Sequence, residues 1–242
     1  LFCSWKAANY SEFWGKTLEQ GVRYRLGTLF PEKSARNMNE VVIKPRELPS
    51  SFDAREKWPE YIHAVRDQGD CGSSWAFSTT ATSADRLAIM SNGRLNTALS
   101  PQQMLSCSQQ KKNGCQGGHL EKAWWYIRKV GVVSEQCYEY NSGHTGKLGK
   151  CQIPRTAFFS DDGLECPSGG MDNNIYKMTP AYRISNKEED IMTEIITNGP
   201  VQATFLVYGD FFMYKSGVYQ HLDSDTMYDY APKGYHSIRL IG

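Results

Sequence analysis

The stretch "DQGDCGSSWAFS", residues 67 to 78, joins a glycine-containing turn to the start of an apolar helical pattern. From Ser74 onward, apolar side chains recur at helical spacing, at Phe77, Ala81, Ala84 and Ala88. The run "SNG" at residues 91 to 93 interrupts this pattern, as polar residues and glycine do at helix ends. The sequence therefore predicts a helix that begins at Ser74 and carries this serine at its N-terminus.

Three further helices are predicted after this one. Ser100 followed by Pro101 and Gln103 has the form of an N-cap, a proline at the first helical position and a glutamine at the third. A second apolar stripe runs from Leu120 until Gly131 and consists of Leu120, Ala123, Trp124 and Ile127. A short helix is expected to open at Ser185 with Glu188 and to end at residues 198 to 200, "NGP".

The last part of the chain has strand patterns. Residues 201 to 207 alternate apolar and polar side chains, and "YHSIRLI" (235 to 241) has a similar composition. Residues 137 to 180 lack periodicity, which is typical of a long loop that is functional or covalently tied. Helices followed by strands predict an α+β fold made of two packed halves.

Composition excludes several classes of protein. The 242 residues are 40% hydrophobic with a formal net charge of +1, which indicates a globular chain without a field that attracts nucleic acid or anionic membranes. No apolar run reaches about 18 residues, so no membrane span is predicted. No metal-binding or cofactor motif is present, and neither is expected.

The seven cysteines indicate an oxidising compartment. Six lie between residues 71 and 166 without zinc-type C-x-x-C pairs, which favours disulfides over the alternative of buried reduced thiols. The odd count leaves Cys3 to pair outside this chain. The tripeptide Asn9-Tyr10-Ser11 is a glycosylation acceptor, as is common in secreted proteins.

Prolines mark a boundary in the first quarter of the chain. Residues 1 to 47 are polar and aromatic-rich, and Pro45, Pro49 and Pro59 punctuate the stretch 44–60 in which they end. We predict a leading segment at residues 1–47 and a domain at residues 48–242. The missing initiator methionine indicates a piece of a longer product.

The motif at residues 71 to 75, "CGSSW", identifies a family. It matches the signature C-G-[SA]-C-[WY] of papain-type nucleophile loops except at the second cysteine, where Ser74 stands. With "GCQGGHLEKAWWY" (114–126), "NGPVQATFLVYGDFFMYKSGVYQH" (198–221) and "GYHSIRLIG" (234–242), the chain resembles the papain-type cysteine peptidases, specifically cathepsin B. The leading "YSEFWGKTLEQGVRYRLGT" (10–28) resembles the tubulointerstitial nephritis antigen-like branch, which is secreted, matrix-associated and known for lacking the cysteine.

The resemblance implies a papain-like fold with a helical left lobe and a β-strand right lobe. It places Ser74 at the nucleophile position, His236 as proton acceptor and Gln68 as the side-chain donor of the oxyanion hole. Gly117 and Gly118 match the wall along which an extended peptide lies, because glycine lets another backbone approach. Taken singly, each residue also fits a plain turn or strand position, and only their joint order and spacing favour the site.

The same resemblance implies three disulfides. They are Cys71–Cys115, which ties the nucleophile helix to the next segment, and Cys107–Cys151 and Cys137–Cys166 in the loop region. Each is expected to stabilise the fold by about 2–4 kcal/mol.

Two departures from the family pattern bear on activity. Where cathepsin B has paired histidines that hold a substrate carboxylate, this chain has only His144, which we interpret as an exposed loop residue. The chain also stops six residues after His236, before the family's asparagine and tryptophan, so the right lobe is expected to be truncated.

These features predict a secreted, catalytically inactive cathepsin B-like protein that binds extracellular-matrix or signalling partners through its cleft. A hydroxyl is a far weaker acid than the thiol this mechanism ionises, and losing nucleophilic and acid–base catalysis together costs up to about 10⁶-fold in rate. The alternative is an active or residually active papain-family peptidase that uses Ser74 or another residue.

Overall fold

The computed structural model of the chain describes residues 4–30, 38–154, 164–221 and 231–242. The helices in these ranges are α1 (Leu18–Arg25), α2 (Ala54–Lys57), α3 (Ser74–Met90), α4 (Pro101–Cys107), α5 (Leu120–Lys129), α6 (Ser142–Thr145) and α7 (Glu188–Asn198). The strands are β1 (Trp5–Ala7), β2 (Val201–Val207), β3 (Tyr214–Gly217) and β4 (Gly234–Leu240). Cys3 lies outside the described residues, so its partner remains a prediction.

The helical lobe packs around α3. The core between α3, α4 and α5 is apolar and includes Trp75, Met104, Leu105 and Ile127. Helix α4 begins as expected, because Ser100 Oγ accepts a hydrogen bond from the backbone N–H of Gln103 and Pro101 takes the first helical position. The predicted start of α3 at Ser74, and the predicted apolar stripe of α5, are confirmed.

The strand lobe is built on an antiparallel pair. Strand β2 pairs with β4 in a register that runs from Val201 opposite Leu240 to Val207 opposite Gly234, with Phe205 opposite His236. Strand β4 also packs along α3, so the junction of the two lobes lies beside the first turns of that helix. Both predicted strands are confirmed, and the fold is α+β.

The loop region at residues 137 to 180 is covalently tied, as its lack of periodicity suggested. Disulfides join Cys71 to Cys115, Cys107 to Cys151 and Cys137 to Cys166, the same pairs that the resemblance implied. Within this region, α6 packs against the turn that precedes α3, and Asp70 donates its backbone N–H to the carbonyl of Gly143.

Two local features differ from the sequence-based expectation. Helix α7 begins at Glu188 with Lys187 as N-cap, because the Ser185 hydroxyl instead donates to Asp190 Oδ2. The leading segment contains a helix that was not predicted, α1, which is closed by a capping box between Thr17 and Gln20.

The leading segment is anchored to the strand lobe at its beginning. Strand β1 pairs antiparallel with β3, placing Trp5 opposite Gly217. The Trp5 ring also packs on Tyr219, with ring centroids 5.4 Å apart. The segment is therefore folded onto the rest of the chain before it reaches the junction of the two lobes.

Candidate active-site cleft

Ser74 is the first residue of α3 and lies at the lobe junction. It is almost completely buried, and the partial positive charge of the helix N-terminus falls on this position. Its Oγ is 2.8 Å from Oγ1 of Thr28, a residue of the leading segment. The geometry thus gives Ser74 a hydrogen-bond partner from residues 1–47 and not from the strand lobe.

His236 lies on β4, with its ring edge-on to Phe205 at a centroid distance of 5.8 Å. Within the described ranges, its Nδ1 is buried and has no hydrogen-bond partner. Burial away from water lowers the pKa of His236 to about 4, so the imidazole is neutral at pH 7. Among the hydrogen bonds of the described residues there is none between His236 and Ser74, so the two groups do not form the ion pair that thiol catalysis uses.

Gln68 sits in the turn before α3, held by a hydrogen bond from Tyr140 Oη to its backbone carbonyl at 2.7 Å. Its side-chain Nε2 donates to the carbonyls of Leu26 at 2.9 Å and Cys71 at 2.8 Å. The backbone carbonyl of Tyr24 is a third acceptor, at 3.1 Å. The side chain that the resemblance assigns to the oxyanion hole is thus already bonded to backbone oxygens of the leading segment.

Gly117 and Gly118 face the same segment. Gly118 donates its N–H to the carbonyl of Gly27 and accepts from the N–H of Leu29, both at 3.0 Å. A Cβ on Gly118 would lie 2.6 Å from the Trp75 ring, and Gly117 adopts φ +109°, so side chains are excluded from this wall. Gly118 therefore pairs with residues 27–29 of the chain itself, and Gly117 lies beside them without a side chain. The role of the two glycines as a wall for a bound peptide remains a prediction.

The leading segment lies in the cleft, and its backbone comes closest to the rest of the chain at Gly27, next to Gly72. A Cβ at this position would lie 2.2 Å from the carbonyl of Gly72, and φ is +122°. On its other side, Thr28 donates its N–H to the carbonyl of Tyr235 at 3.3 Å. Sequence reasoning did not single out Thr28, since no local pattern signals a contact across 46 residues.

Other predicted site residues lie apart from the cleft. His144 is exposed as expected, but it lies on the short helix α6 and not in a loop. Asn9 is exposed in the leading segment, so its side chain is accessible as a glycosylation acceptor. Across the described ranges, no cluster of three or more His, Cys, Asp or Glu side chains has the arrangement of a metal site, and no helix is long and apolar enough to cross a membrane.

Comparison with known proteins identifies the family to which this fold belongs. The profile described as papain family cysteine protease matches residues 48–242. The chain belongs to this family, as a cathepsin B-like member related to the tubulointerstitial nephritis antigen proteins.

Individual relatives agree with this assignment. The human tubulointerstitial nephritis antigen-like protein is 42% identical over 98% of this chain, and human tubulointerstitial nephritis antigen is 41% identical over the same share. This chain spans about half of those relatives, 54% and 52%. The solved structure of procathepsin B S9 from Trypanosoma congolense superposes with a TM-score of 0.80 at 31% identity, covering 98% of this chain and 77% of that one.

Proposed function

We propose that this chain is a secreted, catalytically inactive cathepsin B-like protein that acts by binding an extracellular-matrix or signalling protein. Residues 1–47 form its leading segment and residues 48–242 its peptidase-like domain. The observation that carries the proposal is the hydrogen bond from the nucleophile position to the leading segment, Ser74 to Thr28, in place of one to His236.

The chemistry of oxygen supports the inactive state. A papain-type site works because a histidine and a helix N-terminus hold the nucleophile as thiolate, and the same field does not ionise a hydroxyl. Serine peptidases instead remove the proton during attack, through a hydrogen-bonded histidine that a buried carboxylate orients. Among the described residues, Ser74 bonds to Thr28 and not to His236, so the hydrogen bond that this second route needs is not formed.

Disulfides and relatives support the proposed location. The structure contains three disulfides. Disulfides in general form and persist in the secretory pathway and outside the cell. The resemblance of the leading segment to the tubulointerstitial nephritis antigen-like branch implies the same location. An extended partner reaches Gly117 and Gly118 only after residues 27–29 leave, because these residues already pair with that wall.

The test is a set of peptide-hydrolysis assays on the full secreted chain, with wild type, Ser74→Cys and Ser74→Ala in parallel. We expect no turnover and no labelling by an active-site-directed thiol probe for wild type. Ser74→Cys is expected to gain partial activity, and more when combined with a substitution that displaces the leading segment. Turnover by wild type that disappears in Ser74→Ala contradicts the proposal and supports the alternative of a slow serine nucleophile.

A further inference from the structure

Four hydroxyl groups form a continuous buried chain between the leading segment and both lobes. Thr28 Oγ1 is 2.8 Å from Ser74 Oγ and 2.6 Å from Ser237 Oγ, and Ser237 Oγ is 2.8 Å from Ser78 Oγ. Each of the four residues is at most 5% exposed. Water therefore does not substitute for these bonds, and each hydroxyl depends on its neighbours in the chain.

The proton positions in this row of four hydroxyls follow from Ser78, the hydroxyl farthest from Ser74 in the row. Ser78 donates its single proton to the backbone carbonyl of Ser74 at 2.8 Å. Its oxygen accepts from Gln202 Nε2 at 2.7 Å, and the orientation of that amide is fixed because the indole N–H of Trp124 can only donate to Gln202 Oε1. With Ser78 donating to the Ser74 carbonyl, we assign Ser237 as the donor in its contact with Ser78.

The same reasoning continues to Ser74. Since Ser237 gives its proton to Ser78, it can only accept from Thr28. Thr28 has then used its proton, so the 2.8 Å contact with Ser74 requires the Ser74 hydroxyl to donate. The one proton that a nucleophilic serine would have to give to a base is directed at the leading segment.

Hydrogen bonds to the backbone on both sides of Thr28 fix the position of the leading segment. The Leu29 N–H donates to the Gly118 carbonyl, and the Gly118 N–H donates to the Gly27 carbonyl. The Gln68 side chain donates to the carbonyl of Leu26. The hydroxyl chain adds the only side-chain link from residue 28 to α3 and β4 among the described contacts. A thiolate at residue 74 has no proton to donate, so Thr28 Oγ1 would lose the hydrogen bond that it accepts from Ser74.

We infer that Ser74 is a positioning residue whose hydroxyl holds the leading segment in the cleft of the folded protein. The inference rests on the proposed function in one respect, that Ser74 is not consumed as a nucleophile. It adds a role for the hydroxyl itself: the serine is needed at this position to hold Thr28, not merely to remove a thiol.

Hydrogen–deuterium exchange on the full secreted chain tests this role, read at peptides that carry the Leu29 and Gly118 amides. We expect Ser74→Ala and Thr28→Val each to speed exchange at both amides by about five- to tenfold. The double variant is expected to exchange no faster than the faster single variant, because both substitutions break the same chain. Thr80→Val is the matched control, since the Thr80 hydroxyl is buried on α3 but bonds only to carbonyls of that helix.

Two further measurements check that exchange reports release of the segment and not unfolding of the whole protein. Gly27→Ala, which forces backbone overlap with Gly72, must speed exchange at the same amides and so verifies that the readout reports departure of the segment. Amides around Met104 in the helical core must stay protected in every variant, which excludes global unfolding.

Exchange that is unchanged in Ser74→Ala and Thr28→Val, or effects that simply add in the double variant, would overturn the inference. Peptide turnover measured on the same samples separates the two proposals. Wild-type turnover defeats the proposed function, whereas a silent wild type with uncoupled exchange defeats only the role of Ser74 as a fastening point.

Discussion

Asp85 on α3 and Arg239 on β4 are joined across the lobe junction, with Arg239 Nη1 2.7 Å from Asp85 Oδ2. The other carboxylate oxygen of Asp85 accepts from the backbone N–H of His63 at 3.0 Å and lies 2.8 Å from its ring Nδ1. The Asp85 side chain is fully buried. This carboxylate therefore connects the helical lobe, the strand lobe and the segment before the turn that precedes α3.

We expect Asp85→Asn to lower the free energy of unfolding by about 3 kcal/mol. The substitution leaves the Arg239 charge buried without its counter-charge, which costs more than the pair itself contributes. Urea unfolding measures the effect. Glu40→Gln is the control, because the Glu40–Arg183 pair is about half exposed and should contribute less than about 1 kcal/mol. Equal effects of the two substitutions would contradict this assignment.

Gly27→Ala should release the leading segment from the cleft. An added Cβ overlaps the Gly72 carbonyl at 2.2 Å, and φ +122° is unfavourable for alanine. Limited trypsin digestion at Arg23 and Arg25 is expected to accelerate at least about tenfold. Gly209→Ala serves as control, since its nearest neighbour would lie at an ordinary 3.6 Å. Unchanged digestion in Gly27→Ala would show that the segment is not held at this point.

Stability should fall as the pH is lowered between about 6.5 and 4, in part because of His236. Its pKa is about 4 in the folded chain and near 6.5 when unfolded, so within this window the unfolded state binds one more proton. The free energy of unfolding is unaffected by this titration above pH 6.5, and it falls by up to about 3 kcal/mol as the pH drops to 4.

Replacing His236 with glutamine should flatten this part of the pH profile, measured by thermal unfolding across the window. His144→Gln is the matched control, because His144 is exposed and its replacement should leave the profile unchanged. A wild-type profile already flat between pH 6.5 and 4 would argue against burial of a neutral imidazole.

Removing the Cys107–Cys151 disulfide by a double serine substitution should cost about 2–4 kcal/mol, since it frees a loop with a sequence separation of 44 residues. Urea unfolding under non-reducing conditions gives the value. A variant that unfolds at the same urea concentration as wild type would mean that this bridge does not constrain the unfolded chain.

Local signals predicted the helical lobe well. The cap at Ser100 and Pro101 and the stop at residues 91 to 93 are short-range chemistry, and the structure starts α4 and ends α3 where they indicate. The same kind of signal was available at Thr17 and Gln20, where the capping box of α1 was not recognised. At Ser185 the local pattern misled, because its hydroxyl bonds to Asp190 and the helix begins later.

The content of the cleft could not be predicted in this way. Thr28 meets Ser74 across 46 residues and Ser237 across 209, and no periodicity or composition encodes such contacts. Resemblance supplied the positions of Ser74, His236 and Gln68, but what each of them bonds to depends on how the leading segment is placed. That placement is a tertiary property of the whole chain.

The close fit of Gly27 against Gly72 also bears on what one substitution at position 74 could achieve. A cysteine there would still lie behind residues 27–29, which pair with Gly118 and Tyr235. Access of a peptide to that thiol would depend on a second change that moves this backbone aside.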